Sequence, residues 1–416
     1  MNVLMSAYVC DPTAGGERQN GWNWAYNMAK MGYNVRVLTS HWGKEAIEAT
    51  LEQEPLPNLQ FEYVEVPGWV EKAYVNTLGV YLRYLTWQQQ AYKVAKKLDT
   101  VHNFDLVHHV TYGSIQMSSA LWKLGKPMIF GPSGGGQFSP EAFKDYFAGD
   151  WKTEERRKMV SDLLVRFNPN TKKTARHAEL FLTTNWETYH MAEDLGAKNV
   201  QLFLDTSLPE HFYPKEAPTY EHRPGQPLKL LWIGSLIPRK GLPLVMEALA
   251  QVSEDIPFSL TVLGDGPLKD EVPKWIAQYG LEGKVNYPGR VPWEEVKKAY
   301  QEHHVFMFTS LRDSSPAQLL EAMAYGRPII TLNMHGAANQ VPESAGIKVS
   351  VDNPATTVKE LAEAVTFMYE NPEKCQEYCR DGHEFSKTQT WPVKTSQIAE
   401  EYARITGKPI PRPLSV

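Results

Sequence analysis

Two stretches of this 416-residue chain repeat one grammar. Residues 3–9 read as an apolar strand. A loop with Gly15 and Gly16 follows, then a helix over 20–31 that Gly32 stops, then a strand over 34–39. The same order returns at residue 228. Residues 229–233 form a strand ending in Gly234, a loop carries Lys240 and Gly241, a helix covers 243–252, and residues 259–263 make a strand before Gly264. Parallel neighbours in a sheet need a crossover between them, and strand, glycine loop, helix and strand is the unit that supplies it. Two copies far apart predict two doubly wound, Rossmann-like α/β domains. Short apolar runs at 59–66, 106–109, 128–130 and 180–184 extend the first domain, and those at 285–287, 305–309 and 328–331 extend the second. Such strands, alternating with helices, read as parallel sheets covered on both faces.

Length supports the same division, since a domain commonly takes ~100–200 residues. Residues 214–227 hold four prolines and several charges without an apolar period, and read as a linker. The first domain then spans 1–213 and the second 228–391, with a final helix over 392–406 and an extended tail. Acids number 48 and bases 43, a net charge of −5, whereas a dedicated nucleic-acid binder is ordinarily basic. The three cysteines, Cys10, Cys375 and Cys379, fit a reducing compartment. Cys375 and Cys379 lack partners at zinc spacing and read as two thiols on one helical turn. The start reads as a strand rather than a signal peptide, and no run of ~18 uncharged apolar residues suggests a spanning helix. The expected location is the cytoplasm.

Ligands of open α/β sheets bind beyond the carboxyl ends of the strands, so the loops after strands are where chemistry is sought. Gly15 and Gly16 precede a helix, where free N–H groups and the helix dipole favour an anion; a tight turn explains them equally. The loop from Gly234 through Ser235 to Arg239 and Lys240 offers two cations for a diphosphate, or a solvated pair. Gly264, Asp265 and Gly266 end a strand in a turn. Asp313, Ser314 and Ser315 lead into a helix over 317–325 that carries Glu321. Eight residues is a little over two helical turns, so Asp313 and Glu321 can share a face. Asp313 can equally serve as a helix cap. Glu321 sits among Leu319, Leu320, Ala322 and Met323, where a carboxylate wants a hydrogen-bond donor such as a ligand hydroxyl.

Taken in order, the Gly15-Gly16 loop, the strand–Gly234…Lys240-Gly241 loop, the Gly-Asp-Gly-Pro turn at 264–267, Gly289-Arg290-Val291, and the run from Asp313 through Glu321 to Pro328 resemble retaining glycosyltransferases of family 4. The resemblance covers most of the chain and is strongest over 228–331. It implies the GT-B fold, two Rossmann-like domains facing across a cleft, with the final segment 392–416 crossing back onto the first. It implies that Lys240 binds the donor diphosphate, that Asp313 contacts the donor hexose, and that Glu321 contacts the nucleotide ribose. Arg290 and Val291 frame the base, and Gly15 and Gly16 close over the diphosphate. A nucleotide-diphosphate sugar is then the co-substrate and a saccharide or lipid-linked saccharide the acceptor. No acidic metal-binding pair is visible. A lysine can supply the charge that Mg²⁺ supplies elsewhere, so metal-independent transfer is expected.

Some positions depart from the family pattern. Ser235 stands where an arginine is usual, leaving Arg239 as second cation, and Pro316 lacks an N–H to offer a phosphate. Ser314 and Ser315 remain as donors. His109 is the candidate for the family's active-site histidine, one position out of register, with a structural strand-end histidine as the alternative. Gly134, Gly135 and Gly136 follow a strand and suggest a loop kept clear for acceptor or donor, or a flexible turn. Tyr74, Tyr81, Tyr84 and Trp87 recur at near-helical spacing and read as core. Residues 151–176 carry eight Lys/Arg against three acids, a pattern that suits either peripheral contact with an anionic membrane or a solvated helix. Two other functions remain open, a sugar-nucleotide epimerase on the same fold and a non-catalytic scaffold or nucleotide sensor. Cell-surface or exopolysaccharide assembly is the expected setting.

Overall fold

The computed structural model describes residues 1–72, 77–223 and 225–413. Among the described residues there are two parallel sheets. The first has seven strands: β1 Asn2–Ala7, β2 Asn34–Thr39, β3 Leu59–Tyr63, β4 Leu106–Thr111, β5 Met128–Ser133, β6 Ala178–Thr183 and β7 Val200–Leu202. Their order is β3-β2-β1-β4-β5-β6-β7. The second has six: β8 Leu228–Ile233, β9 Phe258–Leu263, β10 Val285–Gly289, β11 Val305–Phe308, β12 Ile329–Leu332 and β13 Gly346–Val349. Their order is β10-β9-β8-β11-β12-β13. Each sheet therefore reverses direction beside its first strand, between β1 and β4 and between β8 and β11. Such switch points open a crevice at the carboxyl ends.

Strand alternation fills both faces of each sheet. In β1, Val3, Met5 and Ala7 enter one apolar cluster while Leu4 enters another. In β8, Leu228, Leu230 and Trp232 face one cluster and Leu231 the other. The edge strands β7 and β13 escaped the sequence reading, being only three and four residues long. Tyr84 and Trp87 are fully buried, and Tyr81 packs on the same cluster, as expected of core; Tyr74 lies outside the described residues.

The chain divides into two compact units. One holds Met1–Gly136, Met159–Thr206 and Trp391–Val416; the other holds Gln137–Lys158 and Ser207–Thr390. The division differs from a break at 213. Gln137–Lys158 goes with the second unit because Phe143 and Phe147 are buried in its core and the Tyr146 hydroxyl donates to Glu247 at 2.7 Å. Residues 214–227 are tied down rather than a free linker. Tyr220 is buried in the second core, and Arg327 donates to the Thr219 carbonyl at 2.9 Å. Pro224 lies outside the described residues. The helix Trp391–Thr406 packs Trp391, Ile398 and Tyr402 into the first unit's core. There Lys394 is fastened to the Leu204 and Thr206 carbonyls, each at 2.6 Å. The last three residues, 414–416, lie outside the described ones.

Candidate active site

The switch point of the second sheet gathers the charged candidates. β8 ends in a turn through Gly234 and Ser235 that leads to Arg239 and Lys240, and β11 runs into the loop carrying Asp313. The two loops are laced by backbone. The Leu311 N–H donates to the Arg239 carbonyl at 2.8 Å, and the Arg239 guanidinium donates to the Arg312 carbonyl at 2.6 Å. The Asp313 carboxylate then pairs with Lys240 through one oxygen and with Arg239, at 3.1 Å, through the other. Burial alone would raise the Asp313 pKa, but the Lys240 and Arg239 charges outweigh it and hold the carboxyl below its usual range. Burial lowers the Lys240 pKa, with Asp313 opposing and Arg239 adding to the effect. Two cations and one anion leave the cluster with a net positive charge suited to an anionic ligand.

The start of the same β8 loop and the helix after Asp313 border a cavity of about 480 Å³, within the ~300–1,000 Å³ usual for small-molecule sites. Its lining includes Ser235, Gly264, Arg290, Val291 and Gln318. Gly264 makes the close approach possible: at φ +153°, an added Cβ would stand 1.8 Å from the Gly234 carbonyl oxygen. The loops after β8, β9 and β10 therefore share one crevice, and Arg290 and Ser235 are exposed at it. Ser314 and Ser315 stand between Asp313 and the helix Ala317–Ala324, with Gly336 pressed against the Ser314 backbone.

Glu321 does not share a partner with Asp313. It lies on the helix Ala317–Ala324, where its carboxylate accepts from the buried Tyr300 hydroxyl at 2.9 Å. Burial raises its pKa to about 7 against the lowering effect of that hydrogen bond. Asp313 precedes the helix, so the two carboxylates are not on one helical face.

The sequence reading missed one element of this site. Arg312 forms a two-pronged ion pair with Glu154, at 2.8 and 2.9 Å, and Ser139 donates to the same carboxylate at 2.9 Å. Burial alone would raise Glu154, but Arg312 outweighs it and keeps the carboxylate charged. The pair anchors the backbone immediately before Asp313. A cation beside Asp313 calls for a counter-charge, yet nothing in the sequence points to a residue 158 positions away.

In the first unit the candidates are dispersed. Gly15 and Gly16 are exposed at the start of the helix Glu17–Lys30, with nothing within 4 Å of an added Cβ at either. His109 is fully buried in β4, correcting its assignment to catalysis. Its ring stacks on Phe130 at 4.8 Å and bonds the Ser6 hydroxyl at 3.0 Å, and burial lowers its pKa to about 3. A neutral imidazole sealed in a strand has no route to a reacting group. Gly134, Gly135 and Gly136 are also buried, contrary to a loop kept open for acceptor. Protein fills the space. A Cβ on Gly135 would stand 2.3 Å from the Gln116 amide oxygen, and one on Gly136 would stand 2.6 Å from the Glu187–Thr188 backbone.

Among the described residues, no group of three or more His, Cys, Asp or Glu side chains could hold a metal ion.

Residues 216–384 match the family described as Glycosyl transferases group 1. A putative colanic acid biosynthesis glycosyltransferase, WcaL of Salmonella typhimurium, is 31% identical over 128 residues, covering 29% of this chain and 31% of that protein. The amylovoran biosynthesis glycosyltransferase AmsK of Erwinia amylovora is 32% identical over 27% of this chain and 29% of its own. The matched segment thus spans about a third of these relatives. Solved structures align over far more. Sucrose-phosphate synthase of Thermosynechococcus elongatus has a TM-score of 0.65 at 17% identity, covering 98% of this chain and 99% of that one. Anabaena HepE in complex with UDP has a TM-score of 0.61 at 17% identity, covering 97% and 100%. Residues 216–384 carry the sequence pattern of the group 1 glycosyl transferases, and the chain has the two-unit, parallel-sheet fold of the GT-B glycosyltransferases.

Proposed function

We propose that the protein is a glycosyltransferase that moves a hexose from a nucleoside-diphosphate sugar to a saccharide or lipid-linked saccharide. The transfer retains configuration, needs no metal ion, and serves cell-surface or exopolysaccharide assembly. The observation that carries the reading is the Lys240–Asp313–Arg239 cluster at the switch point of the second sheet, on loops whose neighbouring residues Ser235 and Gln318 line a cavity with Gly264 and Arg290. Supporting it, WcaL and AmsK are named for polysaccharide biosynthesis, and HepE has been solved with UDP and with UDP-glucose.

In this reading the nucleoside lies in the cavity, with the Glu321 carboxylate on a ribose hydroxyl. The diphosphate meets Lys240 and Arg239, and the helix N-terminus behind Ser314 and Ser315. The bond from the sugar's anomeric carbon to the diphosphate oxygen breaks with its electron pair leaving on the diphosphate, and the acceptor hydroxyl oxygen bonds that carbon on the same face while its proton passes to the departing diphosphate. Negative charge grows on the leaving diphosphate, where fixed cations lower the barrier most. Asp313 holds the two cations in place before the donor arrives and faces the hexose once it is bound.

The test is a transfer assay with a panel of nucleoside-diphosphate hexoses, a polyprenyl-linked saccharide acceptor and EDTA. Release of the nucleoside diphosphate with product of retained anomeric configuration, lost in Asp313→Ala, supports the proposal. Activity that requires an added divalent cation, or a product of inverted configuration, overturns the corresponding part.

A further inference from the structure

The helix Trp151–Phe167 has an outward face that a solvated helix would not have. Met159 is 57% exposed, Leu163 48% and Phe167 66%. At ~100° per residue, steps of four keep these three within about 80° of one another on a single stripe. The other side of the helix is already occupied, since Leu164 and Val165 pack on the first unit's core and Ser161 is buried. The exposed stripe is therefore additional to the face that holds the helix in place.

Cations follow it along the chain. The Arg166 guanidinium lies 5.3 Å over the Phe167 ring. The next helix, Pro169–His177, adds exposed Lys172, Lys173 and Arg176. Over 159–177 these four bases face one exposed acid, Asp162, in a chain whose net charge is −5. An exposed apolar stripe with a cation at its end and more exposed cations on the next helix matches a bilayer of anionic lipid, with the side chains entering the headgroup boundary and the cations meeting lipid phosphates.

We propose that Met159, Leu163 and Phe167, together with Arg166 and the exposed Lys172 and Lys173 of the next helix, dock the protein peripherally on an anionic membrane surface. Among the described residues no helix is long and apolar enough to cross a membrane, so this contact is of the lying-on kind. The proposal stands apart from the donor chemistry and is tested without it.

The experiment is flotation of the full chain with vesicles of phosphatidylcholine alone or with added phosphatidylglycerol, at low and high salt. The protein is expected to float with the anionic vesicles only and to be released by salt. Arg166→Gln/Lys172→Gln/Lys173→Gln is expected to weaken partitioning on the order of 100-fold. Met159→Ser/Leu163→Ser/Phe167→Ser is expected to weaken it at least ~10-fold while leaving the melting temperature unchanged, because all three side chains are exposed. Equal flotation on both vesicle types, no flotation, or wild-type binding by the serine variant overturns the proposal. So does a dimer in sedimentation that the serine variant dissolves, which would assign the stripe to a second copy of the chain.

Discussion

Two glycine runs follow strands of the first sheet, and their surroundings are opposite. Around Gly15 and Gly16 an added side chain would meet nothing, and both residues are exposed. Around Gly135 it would collide with Gln116, and around Gly136 with the backbone of Glu187 and Thr188. The Gly136 N–H is already bonded to the Thr188 hydroxyl at 3.0 Å, and the Gly135 carbonyl accepts from Gln116 at 2.7 Å. Glycine in the second run lets protein elements approach one another. In the first run it leaves backbone N–H groups open at a helix start. The residue type is the same, and only neighbours distant in sequence tell the two uses apart.

The contrast extends to charge. At the second sheet's switch point, two cations from the loop after β8 meet a carboxylate from the loop after β11, and the cluster keeps a net positive charge. In the first unit the strand histidine His109 is sealed, with one ring nitrogen on the Ser6 hydroxyl and the other facing the Tyr84 hydroxyl. The largest effect should therefore come from the second sheet. Lys240→Ala is expected to lower kcat/KM for transfer by about 10²–10³, as loss of a charge aimed at a leaving group does, while His109→Gln lowers stability more than it changes kcat. Steady-state kinetics on both variants checks this, and a kcat effect larger at His109 than at Lys240 would reverse the contrast.

Next in size is Gly136→Ala. Its Cβ would lie 2.6 Å from backbone atoms that cannot swing aside, so a loss of about 3 kcal/mol is expected in urea unfolding. Gly15→Ala should stay within about 0.5 kcal/mol of wild type. Comparable destabilisation by both would erase the distinction between the two loops.

A third test uses pH. Glu321 titrates near 7 in the folded chain and near its ordinary 4.5 in the unfolded one. The folded state then holds the proton more tightly, so this group's contribution is full below about pH 4.5 and is lost as pH rises toward 7. Against Glu321→Gln, wild type should lose on the order of 2 kcal/mol between pH 4.5 and 7. A nucleotide whose ribose donates to the carboxylate favours the ionised form, so binding near pH 6 should release up to about one proton, read from calorimetry in buffers of different ionisation heat. Identical pH profiles for the two proteins would remove Glu321 from the site.

Much of this was legible in the chain. Strand, glycine and helix order placed β8, β9 and β11 within a residue or two; the rule that ligands lie beyond strand ends shortlisted the loops carrying Lys240 and Asp313, and the family resemblance singled out those two residues. The edge strand β13 was not, because four residues such as Gly346–Val349 have no period to read. Nor was the allegiance of Gln137–Lys158, whose ties to Glu247 and Arg312 run over 100 residues and more. The burial of 134–136 depends on Gln116 and Thr188 in the same way. Local pattern encodes elements and loop positions; which loop is filled by protein is a property of long-range packing.

A smaller effect should come from the Arg312–Glu154 pair. Glu154→Gln keeps the shape but weakens the anchor before Asp313, so a few-fold fall in kcat with a melting temperature within a few degrees is expected, about 1 kcal/mol in each. Partial rescue by the double exchange Glu154→Arg/Arg312→Glu would identify the ion pair itself as the positioning element. Unchanged kinetics in Glu154→Gln would show that the loop needs no such anchor.

The most direct measurement is thermal unfolding of wild type and Lys240→Ala with UDP, GDP, ADP or TDP, each with EDTA present. A nucleotide at ~100 times its dissociation constant adds about 2.7 kcal/mol to a fold that alone binds it. The account predicts that one nucleotide raises the melting temperature of wild type, that EDTA does not abolish the shift, and that Lys240→Ala loses most of it. Equal stabilisation of both proteins, or a shift that EDTA removes, would contradict a metal-independent diphosphate site built on Lys240.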